Sequence, residues 1–388
     1  MVGRIRGTTV LALAALVGMS PAGCSPNQTA LPSTSPMATP TTNSMPTATT
    51  GPSVDVSWEA LPAFGFVGDI VRGSNGWVGA GACQGCDSPA LMAWFSSDAQ
   101  LWSGYPLPRS RKTELAAVAA SADGYLVAAY EQDVLGRDRI DRFLRFWRSA
   151  TGRTWGRSGE LKLGRCSDGC PFVGGIGLTP SGAIVVGGVS YEDARSTGPY
   201  VSDDAIAWSL VPASAFGFND IRVRTIRSTP TGVALFGSVC SDCPTRAWRS
   251  TDGRAWTEDG SIDAVAGFVS LAVDGSHRVA AVMDCPGGVK CALEAWTSEG
   301  DGPWTETLAG PDIEAAQVVS TDGGFVIVGL SQTTLAYVVF TSSDGSTWSQ
   351  LPTGPGSDDN CGVAWLAGGP GNVVLGDPDC SYWRGTVR

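Results

Sequence analysis

The chain has 388 residues, with 26 Lys and Arg against 37 Asp and Glu, a single histidine and a formal charge of −11. An acidic surface repels phosphate backbones and anionic headgroups, which argues against a nucleic-acid partner and against electrostatic docking to lipid.

Residues 1–23 read as a secretory leader. Arg4 and Arg6 form a basic start, and residues 10–19 (VLALAALVGM) are an apolar run. That run is too short for a bilayer, which needs about 20 residues. Ala22-Gly23-Cys24 resembles the lipobox of bacterial lipoproteins, in which the cysteine is lipidated and becomes the new N-terminus. Pro21 departs from that family, which prefers Leu there. The resemblance implies palmitate on Cys24 and a protein held at the outer face of the cell membrane. Ordinary cleavage and secretion is the alternative. Residues 24–53 carry no charge and are mostly Ser, Thr and Pro, the composition of a disordered tether. Without the leader, 24 Lys and Arg face 37 Asp and Glu, a balance of −13. No later segment is long and apolar enough to span a membrane.

Residues 54–388 are expected to form one all-β domain. Its unit is aromatic-x-Ser-x-Asp-Gly-x-x-Trp, which closes on Trp102, Trp155, Trp208, Trp256, Trp304 and Trp348. Two copies are degenerate: Thr151 replaces Asp in SATGRTW, and Gly300 stands there in SEGDGPW. Between the copies lie Gly-bounded apolar runs such as YLVAAY after Gly124 and FVIVGL after Gly324. Seven such runs, each bounded by turn residues, predict four-stranded units joined by hairpins. Units of this length and strand count indicate a β-propeller. The last unit stops at its third strand, and the segment around Trp58 matches a fourth strand with no unit before it. The two ends therefore complete one blade, which predicts a seven-bladed β-propeller of four-stranded antiparallel blades, closed by its N-terminal strand.

The repeat resembles the Asp-box, or bacterial neuraminidase repeat (BNR), which that family writes Ser-x-Asp-x-Gly-x-Thr-Trp; the version here is one residue shorter. The residues suit a structural turn. An Asp carboxylate accepts the turn's own N–H groups, and Gly permits positive φ. Twelve of the 14 tryptophans fall on two repeat positions, with only Trp77 and Trp365 off register. A sugar-stacking platform would concentrate on one site instead of marching around a ring.

The same resemblance raises sialidase chemistry. As a family, sialidases need three arginines for the substrate carboxylate, a Tyr–Glu nucleophile pair, an acid/base Asp and an Arg-Ile-Pro segment. No Arg-Ile-Pro occurs here, and nothing in the sequence orders Arg72, Arg222, Arg224 and Arg227 into a triad. His277 falls in a strand–strand turn, which sets aside catalysis by a histidine base. Asp358-Asp359-Asn360 is oxygen-rich but reads as a polar loop. No cofactor and no metal ligand set is expected.

After Cys24, ten cysteines remain as close pairs: Cys83/Cys86, Cys166/Cys170, Cys240/Cys243, Cys285/Cys291 and Cys361/Cys380. Close even pairs in an exported protein are disulfide candidates. The rival reading joins Cys83-x-x-Cys86 and Cys240-x-x-Cys243 in a zinc site. Naming the strands of a unit A to D, all ten map to the end formed by D–A and B–C connections. Residues 131–142 (EQDVLGRDRIDR) are the longest expected B–C loop, and its Arg137, Arg139 and Arg142 are candidate ligand contacts. The function expected is a non-catalytic binding or assembly scaffold, monomeric, serving an envelope protein or glycan. A sialidase-like hydrolase or glycan-binding propeller is the alternative. A photosystem-assembly-like factor is a third class, by analogy of fold alone.

Overall fold

The computed structural model describes residues 54–388, apart from 63–65, 83–90, 109, 111–113, 137–138, 167–170, 191–197, 219–220, 241–242, 265, 285–290, 311–312, 353, 356–364 and 377–380. Seven four-stranded antiparallel sheets follow one another along the chain. First comes β1 (Val56–Leu61). Blade 1 is β2 (Phe66–Gly73), β3 (Gly76–Ala82), β4 (Leu91–Ser96) and β5 (Ser103–Pro106). Blade 2 is β6 (Glu114–Ser121), β7 (Gly124–Gly136), β8 (Arg139–Ser149) and β9 (Gly156–Arg165). The short β10 (Phe172–Val173) leads into blade 3, which begins with β11 (Ile176–Leu178) and β12 (Ile184–Val186). Then β13 (Val189–Ser190) pairs back with β10, and β14 (Tyr200–Ser202) and β15 (Ser209–Leu210) complete the blade. Blade 4 is β16 (Arg222–Thr229), β17 (Gly232–Ser238), β18 (Thr245–Ser250) and β19 (Thr257–Ile262). Blade 5 is β20 (Ala266–Asp274), β21 (His277–Asp284), β22 (Ala292–Glu299) and β23 (Thr305–Gly310). Blade 6 is β24 (Ile313–Thr321), β25 (Gly324–Ser331), β26 (Tyr337–Ser342) and β27 (Ser349–Gln350). Blade 7 has β28 (Trp365–Gly369), β29 (Asn372–Gly376) and β30 (Tyr382–Val387), and β1 supplies its fourth strand. The register runs from Val56 opposite Val387 to Leu61 opposite Tyr382. The ring therefore closes as the two chain ends predict.

Near-continuous burial of the middle strands drives the packing: β3 and β25 are each buried at all but one position. A blade is hydrophobic on both faces, so each face must be covered by the next blade. Seven buried clusters result, and each draws on two consecutive blades. Val118, Tyr125 and Trp147 of blade 2 pack with Val78, Phe95 and Leu107 of blade 1. Trp365, Val374 and Tyr382 of blade 7 pack with Val67, Trp77 and Trp94 of blade 1.

The repeated turn is a joint in this arrangement. In blade 4, Ser250 Oγ donates to Asp252 Oδ1 at 3.1 Å, and that oxygen accepts the backbone N–H groups of Arg254 and Ala255 at 2.8 and 3.0 Å. Trp256 Nε1 closes the turn on the Gly253 carbonyl at 3.0 Å. Gly253 has φ +77° because the chain must reverse there. It also sits flush against blade 3: a Cβ on it would lie 2.5 Å from Val185 Cγ2. Gly345 sits the same way against Val279 of blade 5. Where the motif lacks its Asp, other groups take over. Thr151 Oγ1 accepts from Arg153 N–H at 3.3 Å. In the SEGDGPW copy, Arg278 donates to Ser298 Oγ at 2.7 Å and to the Gly300 carbonyl at 2.6 Å.

These bonds make the turns acid-sensitive. The Ala255 N–H is the largest influence holding Asp252 below its ordinary 3.8. At Asp344 burial pushes the carboxyl up, but bonds from Ser346, Thr347 and Ser342 outweigh it and leave the value at about 2. A carboxylate depressed in the fold stabilises in full above its unfolded value and loses that contribution as pH falls through the folded one. The melting temperature is therefore expected to decline from about pH 4 towards pH 2, and less steeply in Asp344→Asn. Equal slopes for variant and wild type, measured by circular dichroism, would remove this turn from the cause.

Candidate functional site

The inner strands of all seven blades enclose a central shaft with a cavity volume of about 610 Å³. Its walls run from the middle of these strands to their A–B turns. Most side chains near the turns are small, including Ala119, Ala120, Ala272 and Ala367, which is why the shaft stays open.

A polar ring stitches the blades around this shaft. It lies four residues before the last residue of the inner strand. Asp69 Oδ2 accepts the Val118 N–H of the next blade at 2.7 Å, and its Oδ1 accepts the Ile70 N–H at 2.9 Å. At the matching place in blade 5, Ser270 Oγ accepts the Val318 N–H at 3.1 Å. In blade 6, Gln317 Oε1 accepts the Leu366 N–H at 2.9 Å. Bulges at Val67/Asp69 and Glu314/Gln317 release the inner strand from its partner at this level; in blade 5 the bulge at Ala266/Phe268 falls earlier, and Ser270 stays paired opposite Ala281. Glycine does the same work without a side chain at Gly175, whose backbone bridges Ile226. The seam between blades 7 and 1 is held differently: Trp365 Nε1 donates to the Val67 carbonyl at 2.8 Å, and Tyr382 Oη accepts the Val67 N–H at 3.3 Å.

The residues of this ring differ in type from blade to blade. Its trace was visible as a polar residue interrupting an apolar run at a constant distance before the turn.

Asp69 is the single carboxylate among the described residues of the shaft wall, and Arg72 and Arg227 are its two cations. Burial pushes the Asp69 carboxyl up, while the Arg227 charge and the two N–H bonds pull against it. Arg222 and Arg224 share β16 with Arg227 but are not part of the described shaft wall. The described wall contains no Tyr and no Glu.

The other end of the ring carries the second feature. Residues 131–142 were expected as a loop, but most of them are strand. β7 has 13 residues and β8 has 11, and they stay paired out to Gly136 opposite Arg139. The corresponding B and C strands elsewhere have 3 to 8 residues. Charge holds this arm together. Arg145 pairs with Glu131 at 2.6 Å and with Asp133 at 3.3 Å, and Lys162 pairs with Asp141 at 2.6 Å. Glu131 is only 2% exposed, whereas the apolar Val134 is 69% exposed, so the usual inside–outside pattern is reversed here. Arg142 is a correction to the expected ligand contacts. It is buried, its guanidinium lies 4.0 Å from the centre of the Tyr130 ring, and it pairs with Glu114 at 2.7 Å. Arg139 opens β8, and Arg137 lies outside the described residues.

Cys240 and Cys243 form a disulfide in the β17–β18 connection, which leaves no thiolate there for zinc. Cys166 and Cys291 are also disulfide-bonded. These four occupy D–A or B–C connections. Cys24, Cys83, Cys86, Cys170, Cys285, Cys361 and Cys380 lie outside the described residues, as does Asp358-Asp359-Asn360.

No family model and no curated protein matches the sequence. Solved structures do match. The β-propeller domain of Cps50 (Swd1) from Myceliophteria thermophila is similar over 85% of this chain and 99% of that one, at 8% identity and a TM-score of 0.53. A prolyl endopeptidase structure is similar over 82% of this chain at 16% identity and a TM-score of 0.51, and this chain spans 45% of its length. Virginiamycin B lyase from Staphylococcus aureus aligns over 86% of this chain and 99% of its own, at 14% identity and a TM-score of 0.49. At these identities the likeness concerns the seven-bladed fold and nothing finer.

Proposed function

We propose that this propeller is an exported, non-catalytic binding or assembly scaffold, anchored to the membrane through a lipid on Cys24, and that it docks an envelope protein through the β7–β8 arm. The observation that carries the reading is the arm itself. Two strands run past their blade at the D–A/B–C end and are stiffened by ion pairs, so little order remains to be gained on binding. Val134 faces solvent on an arm whose acidic residues face inward, and an exposed apolar side chain on a rigid projection suits a protein contact. Arg139, which opens β8 at the tip of this arm, remains a candidate contact, as does Arg137 from its place in the sequence. The sialidase-like alternative requires a nucleophile pair, and the described shaft wall offers Asp69 alone, already committed to two backbone N–H groups.

The test places a photo-crosslinking residue at Val134 in the full chain, in cells that make the protein. A control carries it at Ile206, which is 72% exposed in a C–D turn at the opposite end. One discrete protein adduct at Val134 and none at Ile206 is expected. No adduct at either position, or the same adducts at both, removes the arm as the docking element.

A further inference from the structure

The A–B turn end of the shaft holds two positive charges with no ion-pair partner among the described residues. Arg72 is the penultimate residue of β2, and Arg227 lies two residues before the end of β16. Both line the shaft. Neither forms an ion pair with a described residue. The hydrogen bonds of Arg72 and Arg227 go to the backbone carbonyls of Gly73 and Ile226. Asp69 attracts the Arg227 charge but forms no ion pair with it, and both its oxygens accept backbone N–H groups.

Arg72 is also held in place. Its guanidinium lies 5.8 Å from the centre of the Trp77 ring, and its stem passes so close to Gly369 of blade 7 that a Cβ there would come within 3.0 Å of Arg72 Cγ. Two half-buried guanidiniums whose hydrogen bonds go only to backbone carbonyls are costly in a confined space. In a chain of net charge −11 they are also out of keeping with the rest of the surface. The small side chains around them leave room for a solute.

From this geometry we infer that the shaft binds a small oxyanion, the carboxylate or phosphate group of a solute entering from the A–B turn end, held by Arg72 and Arg227. Arginine suits this role because its planar fork donates two parallel hydrogen bonds to such a group. The inference is independent of the arm, which lies at the other end of the ring.

Calorimetric titration of the full chain at low ionic strength tests it, with inorganic phosphate in one arm and succinate in the other. Saturable binding of at least one probe is expected, and the tighter probe identifies the source of the oxyanion. Arg72→Gln and Arg227→Gln should each weaken that binding roughly tenfold or more, since each removes a charge-assisted contact. Arg254→Gln, which alters an exposed pair with Asp203 in a C–D turn, should leave it unchanged. If a glutamine variant fails to fold, Arg72→Lys and Arg227→Lys replace it. They keep the charge, lose the fork, and should bind more weakly than wild type at an unchanged melting temperature. The inference is overturned if neither probe binds saturably below about 10 mM, a very weak affinity, or if binding is equal in the wild type and the shaft arginine variants.

Discussion

A chain beginning after Pro62 is expected to melt roughly 10 °C or more below the full chain, or to aggregate when made. The reason lies in what β1 covers. Its six residues pair with β30 from Val56 to Leu61, and Val54, Val56 and Trp58 complete the cluster shared by blades 6 and 7. Loss of a large packed aromatic alone costs about 3–5 kcal/mol, the buried valines and the strand pairing add to it, and in a domain of this size each kcal/mol lowers the midpoint by about 1.5 °C. The deletion also strips the hydrogen-bonding edge of β30, and an uncovered edge invites pairing with other chains. Differential scanning calorimetry with light scattering would read both effects. A truncated chain that melted with the full one would mean that β30 needs no partner.

The second large effect is expected at Arg145. Arg145→Ala should destabilise the domain by about 3–5 kcal/mol, read from chemical denaturation. The substitution removes the cation beside Glu131, which is almost fully buried on the arm and has no solvent to turn to. The cost is that of weakening the pairing of a buried carboxylate, so replacing both partners should be milder than replacing one. Arg145→Ala combined with Glu131→Gln is therefore expected to recover part of the loss. A double variant less stable than Arg145→Ala would place the effect in packing instead, because the Arg145 guanidinium also lies 5.5 Å from the centre of the Phe143 ring. A change at the exposed pair Arg246–Glu258 should move stability by less than about 1 kcal/mol.

The contrast between these two sites shows what the sequence made legible. Blade number, strand order and ring closure could be read because they are written many times over in Ser, Asp, Gly and Trp at constant spacing. The joint role of the turn could be read for the same reason: Asp252 and Asp344 make the same bonds in different blades. What escaped was written once. The charged run 131–142 reads as a long B–C loop with arginines free for a ligand, because charge usually marks solvent. In the fold, the strand register sets Glu131 and Asp133 where Arg145 reaches both, and Lys162 of β9 meets Asp141, so the charges satisfy one another. Arg72 and Arg227 were noted as unordered arginines. Only the ring brings strands separated by three blades onto one shaft. The polar ring at Asp69, Ser270 and Gln317 escaped for a third reason. Its residues differ chemically and share only a position, so a search for repeated letters passes over them.

One consequence of the closure concerns where the chain passes in and out. The Asp55 N–H donates to the Arg388 carbonyl, and the Arg388 N–H donates back to the Asp55 carbonyl at 2.9 Å. The polypeptide therefore enters and leaves the domain at a single point, on the end that carries the A–B and C–D turns. In effect the propeller is a bead on a thread. It can be set into another polypeptide without forcing apart the segments on either side. Residues 55 and 388 thus meet at the end where the shaft holds its arginines, and the β7–β8 arm stands on the opposite side.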